Sequence, residues 1–188
     1  MLLSNTELVT LREYCLNHYP KWRTFDEKNA EEPFNRGRRS CYTSLTEHSS
    51  TVTTICNRVR TIVGIANNIV PIPANNLSHM FTVLFDDHTT ARGVQRHTDQ
   101  RNEDGWLHFR INVVLQHADA GGQPIVDSVV LNVKEGEAWS IWASESPHSA
   151  LPVKGNVPRL ALSLGYYVNP ALKEQVEHKL IDVVNYIR

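Results

Sequence analysis

Apolar and polar positions change their period along the chain. Leu8, Leu11 and Cys15 recur at helical spacing behind Ser4 and Glu7, which have the Ser-x-x-Glu form of a capping box. This predicts a helix over 4–19, stopped at Pro20. Residues 24–50 show no period, contain Pro33 and Gly37, and carry a small basic cluster at Arg36, Arg38 and Arg39. They read as a solvated loop or as a lid over a site, since long loops are often functional. Val52, Ile55, Val59, Ile62, Val63 and Ala66 fall three to four apart and predict a second helix over 51–66, followed by a proline- and asparagine-containing linker over 70–76.

From Met80 to Tyr167 the period shortens to two. Short β-like runs at 80–85, 93–98, 107–116, 124–133, 137–143 and 158–168 are separated by Gly, Pro, Asn and Asp, as in a sandwich or barrel. At the end, Asn169 is a candidate N-cap and Pro170 a first-turn residue. Leu172, Val176, Leu180, Val183, Val184 and Ile187 then predict a helical stripe over 169–188, packed on the barrel or on a partner. The expected class is mainly β with flanking helices (α+β). We expect one domain over 1–188: helical and loop support over 1–76, a β core over 77–168, and a C-terminal helix.

Two strands have unusual faces. In the run 107–116, Leu107, Phe109, Ile111, Val113 and Leu115 share one face; His108, Arg110, Asn112, Val114 and Gln116 share the other. In 159–165 the second face holds Arg159, Ala161, Ser163 and Gly165. Small residues are depleted on ordinary surface strands, so this face resembles the wall of a cavity, and its one guanidinium offers a planar fork for a carboxylate. Trp139 and Trp142 are expected to pack in the core.

Composition narrows the function classes. Hydrophobic residues make up 41% and charged residues 21% of the chain, which fits a globular protein. Nineteen Lys and Arg against twenty Asp and Glu give a net charge of -1, which argues against a general nucleic-acid binder. Cys15, Cys41 and Cys56 are odd in number and form no Cys-x-x-Cys pair, so free thiols in a reducing compartment are expected. No signal-peptide pattern or apolar stretch of ~20 residues is present, and the expected location is cytoplasmic.

The candidate chemistry lies in the β region. His97 and Asp99 are two residues apart, so on a strand they share one face. With nine histidines in the chain, such a pair arises by chance about 0.4 times and is weak alone. His148 follows Pro147 just beyond a β run, and Arg159 comes eleven residues later on the small-residue face. Two histidines and a carboxylate form the facial triad of non-haem Fe(II) oxygenases.

The ordered set His97, Asp99, His148 and Arg159 resembles the Fe(II)/2-oxoglutarate-dependent dioxygenases, over about residues 80–168. The blocks 108–115, 133–139 and 147–150 look closest to the group of free-proline hydroxylases and aspartyl/asparaginyl β-hydroxylases. The resemblance implies a double-stranded β-helix (jelly-roll) core and a reaction using Fe(II), 2-oxoglutarate and O2. It implies that His97, Asp99 and His148 bind the metal and that Arg159, with Ser163, binds the far carboxylate of 2-oxoglutarate. Arg110 and Asn112 would face the same cavity. The implied activity is hydroxylation of an aliphatic carbon of an amino acid or amino-acyl side chain, with release of succinate and CO2.

Two other readings stand beside it. The same class of enzyme can act on a nucleobase or another small molecule, with Arg36, Arg38, Arg39, Arg96 and Arg101 as a local phosphate patch. Alternatively, the chain is a non-catalytic jelly-roll binding module.

Overall fold

Ser4 and Glu7 close the capping box. The Glu7 N–H donates to Ser4 Oγ at 3.2 Å, and the Ser4 N–H donates to the Glu7 carboxylate at 2.7 Å. Helix α1 runs Asn5–His18, and Pro20 lies in the single 3-10 turn that ends it. The computed structural model describes residues 2–24, 37–63, 69–71, 79–86, 88 and 93–187. In chain order the next elements are β1 (Arg23–Thr24), β2 (Arg38–Tyr42), α2 (Ser49–Val63), β3 (Ile69–Pro71), β4 (His79–Leu84), β5 (Val94–His97) and β6 (Leu107–Gln116). There follow β7 (Ala120–Gly121), β8 (Pro124–Val126), β9 (Val129–Val130), β10 (Ala138–Trp142), β11 (His148–Ala150), β12 (Val153–Lys154) and β13 (Arg159–Val168). Helix α3 (Lys173–Leu180) and β14 (Tyr186–Ile187) complete the described chain.

The strands form two main sheets. The larger runs β1-β2-β4-β13-β6-β10-β14, with β3 beside the far part of β13. The smaller runs β5-β11-β8-β9, and β7 and β12 form a separate pair. All pairings are antiparallel except that of β10 with β14.

Alternation in the large sheet separates core from cavity. Phe109, Ile111 and Val113 of β6 and Leu160, Leu162 and Leu164 of β13 are buried in one cluster with Leu11 of α1, Ile55 and Val59 of α2, and Val176 and Leu180 of α3. Each such side chain contributes roughly 1.5–3 kcal/mol on burial. Trp142 also packs there and donates from Nε1 to Glu177 of α3 at 2.6 Å. The opposite face of the same strands looks toward the small sheet. Cys15, Cys41 and Cys56 are free, and among the described residues no helix is long and apolar enough to cross a membrane.

Several segments depart from the sequence pattern. The 24–50 stretch is not one loop: β2 pairs along its length with β4, Thr43–Leu45 is a 3-10 turn, and Ser49 is already helical. The ladder with β4 orders β2, since neither of its faces is apolar enough to announce a strand. Residues 25–36, including Arg36, lie outside the described residues, as do Ala66 and residues 72–76 of the expected linker. The 124–133 run is broken into β8 and β9 by Asp127 and Ser128, whose φ values of 49° and 69° make a left-handed turn.

The C-terminal helix is also shorter than expected. Asn169 Oδ1 accepts from the Ala171 N–H at 3.0 Å, but it caps a 3-10 turn, and the α-helix covers only Lys173–Leu180. Beyond it the Asn185 N–H donates to the Ala138 carbonyl at 2.8 Å, and Tyr186–Ile187 adds beside β10. The stripe packs on the chain's own core, with Val176, Leu180 and Val184 buried.

Candidate active site

The small sheet brings the two candidate histidines together. His148 of β11 is the direct antiparallel partner of His97 of β5, and their ring centroids are 4.3 Å apart. Gly93 makes this approach possible: a Cβ there would sit 1.9 Å from the Ala150 carbonyl oxygen. Asp99 lies two residues beyond β5, in a loop held to the end of β10 by its N–H, which donates to the Ala143 carbonyl at 2.7 Å.

Backbone carbonyls set both histidine tautomers. His97 Nδ1 lies 2.7 Å from the Gln95 carbonyl, and His148 Nδ1 lies 3.1 Å from that of Ser146. A carbonyl only accepts, so each Nδ1 carries the proton and each Nε2 keeps its lone pair in the neutral ring. Burial, then the neighbouring His97, pushes His148 down to about 4, so it is neutral at physiological pH. His97 Nε2 stands 3.6 Å from Asp99 Oδ1, and donor atoms of all three residues lie within 4.8 Å of one another. Donors at right angles around one ion with bonds of ~2.1 Å would be about 3 Å apart, so a small closure brings the set to ligating distance.

The Asp99 carboxylate is oriented by its second oxygen. Oδ2 accepts from Arg110 Nε at 2.7 Å, and His108 Nδ1 stands 3.2 Å from it. Oδ1 faces His97. Burial would raise this carboxyl, but the charges of Arg110 and His108 and the Arg110 hydrogen bond outweigh it and hold it below the ordinary aspartate value. His108 itself is pushed down to about 4, chiefly by burial and then by Arg110.

Between the sheets lies a cavity of about 310 Å³ that these ligand atoms share with Arg159, Ser163, Arg110 and Asn112. All seven residues singled out in the sequence therefore meet in one place. Arg159 is 6% exposed, and its guanidinium stands 5.4 Å from the centre of the Trp139 ring. Burial lowers its pKa to about 10, which leaves it charged at neutral pH. Among the described residues no carboxylate lies within ion-pair distance of it. Gly122, at φ 77°, leaves room for its stem, since a Cβ there would lie 3.0 Å from Arg159 Cδ. Ser163 Oγ accepts from Arg110 Nη1 at 3.1 Å, so it is engaged with Arg110. Asn112 sits in the wall, in register between Trp139 and Ser163.

The sequence reading missed three residues here. Trp139 is not a plain core residue like Trp142: it lines the cavity and stacks with Arg159. His108 was legible only as a face-mate of Arg110. Arg38 enters the cavity wall from β2. Of the expected phosphate patch, Arg36 lies outside the described residues, Arg96 is exposed, and the other three are engaged elsewhere. Arg38 turns inward, Arg39 donates to the carbonyls of Tyr19 and Pro20, and Arg101 pairs with Glu145 at 2.9 Å.

Known structures share this architecture. A Pseudomonas putida prolyl-4-hydroxylase is 15% identical, with a TM-score of 0.52 over 89% of each chain. The fold is that of the Fe(II)/2-oxoglutarate oxygenases. A 2OG-Fe(II) oxygenase family oxidoreductase from Burkholderia pseudomallei matches at 12% identity and TM-score 0.56, covering 88% of this chain and 81% of its own. The non-heme alpha ketoglutarate dependent epimerase SnoN from nogalamycin biosynthesis matches at 11% and 0.64, covering 90% and 78%. No family model matches the sequence, and no curated protein does.

Proposed function

We propose that this chain is an Fe(II)- and 2-oxoglutarate-dependent dioxygenase that hydroxylates an aliphatic carbon of an amino acid or amino-acyl side chain. The observation that carries this reading is the convergence of donor atoms of His97, Asp99 and His148 within 4.8 Å of one another in a cavity that also holds the buried cation Arg159. Strand order supports a double-stranded β-helix for residues 77–168. Take β4, β5, β6, β8, β9, β10, β11 and β13 as strands one to eight. The first, eighth, third and sixth adjoin in one sheet; the second, seventh, fourth and fifth adjoin in the other. We take 1–188 as one dioxygenase domain around that barrel.

His97, Asp99 and His148 would hold the metal, since two imidazoles and a carboxylate suit Fe(II). When bound, Fe(II) with 2-oxoglutarate supplies the O2-dependent conversion of the co-substrate to succinate and CO2, with the second oxygen atom entering a substrate C–H bond. The protein's share is positioning. The carbonyls of Gln95 and Ser146 fix the lone pairs of the two rings, and Arg110 with His108 keeps Asp99 ionised and turned. Arg159, stacked on Trp139, offers its fork to the far carboxylate of the co-substrate. Asn112 completes the polar wall.

The test is anaerobic. The chain loaded with Fe(II) and 2-oxoglutarate should show the weak visible charge-transfer band of the chelate, and Arg159→Ala should lose it. With O2, succinate release should depend on iron and vanish in Asp99→Ala. Iron-dependent succinate release that survives Asp99→Ala would remove the triad assignment. A folded, iron-loaded chain with no band would put the non-catalytic reading first.

A further inference from the structure

One turn joins the two sheets at the candidate metal site. Residues 143–146 lead from β10 on the large sheet to His148 of β11 on the small one. The turn is closed from within, since the N–H groups of Glu145 and Ser146 both donate to the Trp142 carbonyl at 2.8 Å. It also reaches the site at three points. The Ala143 carbonyl takes the Asp99 N–H at 2.7 Å, Ser144 Oγ takes the His108 N–H at 3.1 Å, and the Ser146 carbonyl faces His148 Nδ1 at 3.1 Å.

The remaining residue, Glu145, makes its contacts by charge. Its Oε1 accepts from Arg101 Nη2 at 2.9 Å and its Oε2 from Lys173 Nζ at 2.7 Å. Arg101 lies two residues beyond Asp99, in the loop between β5 and β6. Lys173 opens α3, and its ammonium stands 5.4 Å from the centre of the Trp142 ring. Past Arg101 the loop is tied to itself: Asn102 Oδ1 takes the Trp106 N–H at 2.7 Å, and the Asn102 carbonyl takes the Gly105 N–H at 3.0 Å. Among the described residues, the polar links from the Asp99 loop to the turn are therefore the Asp99 N–H and the Arg101 guanidinium.

The donor atoms of His97, Asp99 and His148 lie within 4.8 Å of one another, wider than the ~3 Å that ligation of one ion asks. Closing that gap requires the Asp99 loop and the turn before His148 to keep their relation. An exposed ion pair alone contributes little, in part because both side chains lose freedom in forming it. Here Glu145 is already held by Lys173, so less freedom remains to be lost when Arg101 docks.

We propose that Glu145 and Arg101 are positioning residues for the metal site: their ion pair fastens the Asp99 loop to the turn that carries His148, with Lys173 as its anchor on α3. This rests on the assignment of His97, Asp99 and His148 as metal ligands. The sign of one effect separates positioning from long-range charge. Arg101 is a cation two residues from a candidate ligand of a cation. By charge alone, its removal strengthens metal binding; by positioning, its removal weakens it.

The test measures Fe(II) affinity of the full chain anaerobically, by competition with a chelating dye, beside the melting of the metal-free form. Arg101→Gln and Glu145→Gln should each bind Fe(II) about three- to five-fold more weakly. The double variant should match the weaker single within about two-fold, because both changes remove one link. Arg101→Lys keeps the charge and should retain part of the affinity. All three side chains of the network are part-exposed, so the metal-free Tm should stay within about 2 °C of the parent. The proposal is overturned if Arg101→Gln binds Fe(II) as tightly as the parent or more tightly, if the double variant shows the product of the single losses, or if it returns to the parent affinity as charge balance alone requires. A metal-free Tm lower by more than about 5 °C in both single variants would assign the loss to folding and also overturn it. A parent chain that takes up no Fe(II) overturns the ligand assignment and the proposal with it, whereas a parent that binds Fe(II) beside unaffected variants overturns the proposal alone.

Discussion

A carboxylate proposed to ligate through one oxygen needs its other oxygen held, and in this site Arg110 donates to it and His108 stands 3.2 Å away. The two contributions are separable. His108 is buried, and its Nε2 has no hydrogen-bond partner among the described residues. Replacing it with phenylalanine keeps a ring in place and removes an unsatisfied polar atom, so stability should stay level or rise. Metal affinity should nevertheless fall about 10–100-fold, as for other groups that orient a ligand from behind. Competition with a chelating dye measures the affinity and thermal melting the stability. An affinity loss matched by a comparable stability loss would reduce His108 to packing. Arg159→Lys keeps the charge and loses the planar fork, so 2-oxoglutarate affinity should drop by about ten-fold in a titration of the visible band. At this scale the grouping of His97, Asp99, His148 and Arg159 around one cavity was legible because their spacing is a motif. Ser163 was placed correctly on the wall, but its use by Arg110 depends on three-dimensional contact. Arg38 was legible only as part of a basic cluster; its place at the cavity follows from the pairing of β2 with β4, which no periodicity in the β2 sequence announces.

Elements transmit their geometry to the site through close backbone contact. Gly93 has the Ala150 carbonyl where a Cβ would go, so Gly93→Ala must push β5 away from β11. The pairing of His97 with His148 should open, and metal binding should weaken by more than ten-fold while the helix-backed core stays folded by circular dichroism. A variant with unchanged affinity would show that the sheet gives elsewhere. Far from the site, Glu7 ties α1 to α2. Hydrogen bonds from Arg58 at 3.0 and 3.2 Å, against partial burial, draw its carboxyl down to about 2. A depressed carboxyl stabilises the fold above the unfolded value near 4.5 and loses that effect as pH falls through 2. Glu7→Gln should therefore cost about 1 kcal/mol at pH 7 in urea unfolding, limited by solvent screening, and the gap should narrow steadily below pH 4.5. A gap independent of pH would assign the loss to packing. Long alternating strands such as β6 and β13 were readable because one face is uninterruptedly apolar. Elements of two or three residues, and the departure of the chain from α3 into β14, depend on backbone partners distant in sequence, which the local pattern does not encode.

At the scale of the whole molecule, stability and chemistry occupy different layers. The helices and one face of the large sheet form the main core; the candidate ligand histidines stand on the small sheet, and the cavity separates the two. This division predicts that the two properties can be perturbed independently. Metal that binds only the folded chain adds about 2.7 kcal/mol of stability at a hundred-fold excess over its dissociation constant. For a chain of this size that corresponds to a rise of roughly 5–10 °C in Tm, reversed by a chelator. His148→Ala should abolish the rise while leaving the metal-free Tm within a few degrees of the parent, because the ring sits at the cavity edge. Ile55→Ala does the opposite. It opens a cavity in the helix-backed core and should cost about 2–5 kcal/mol, yet the metal-induced rise should persist on top of the lower starting point. Scanning calorimetry of the parent and both variants, with Fe(II) under anaerobic conditions and without it, checks all four quantities. If Ile55→Ala erased the metal response, the two layers would be one cooperative system through β6 and β13. The shared strands would then carry strain from core to site, and substitutions on either face of the large sheet would have to be read for both effects.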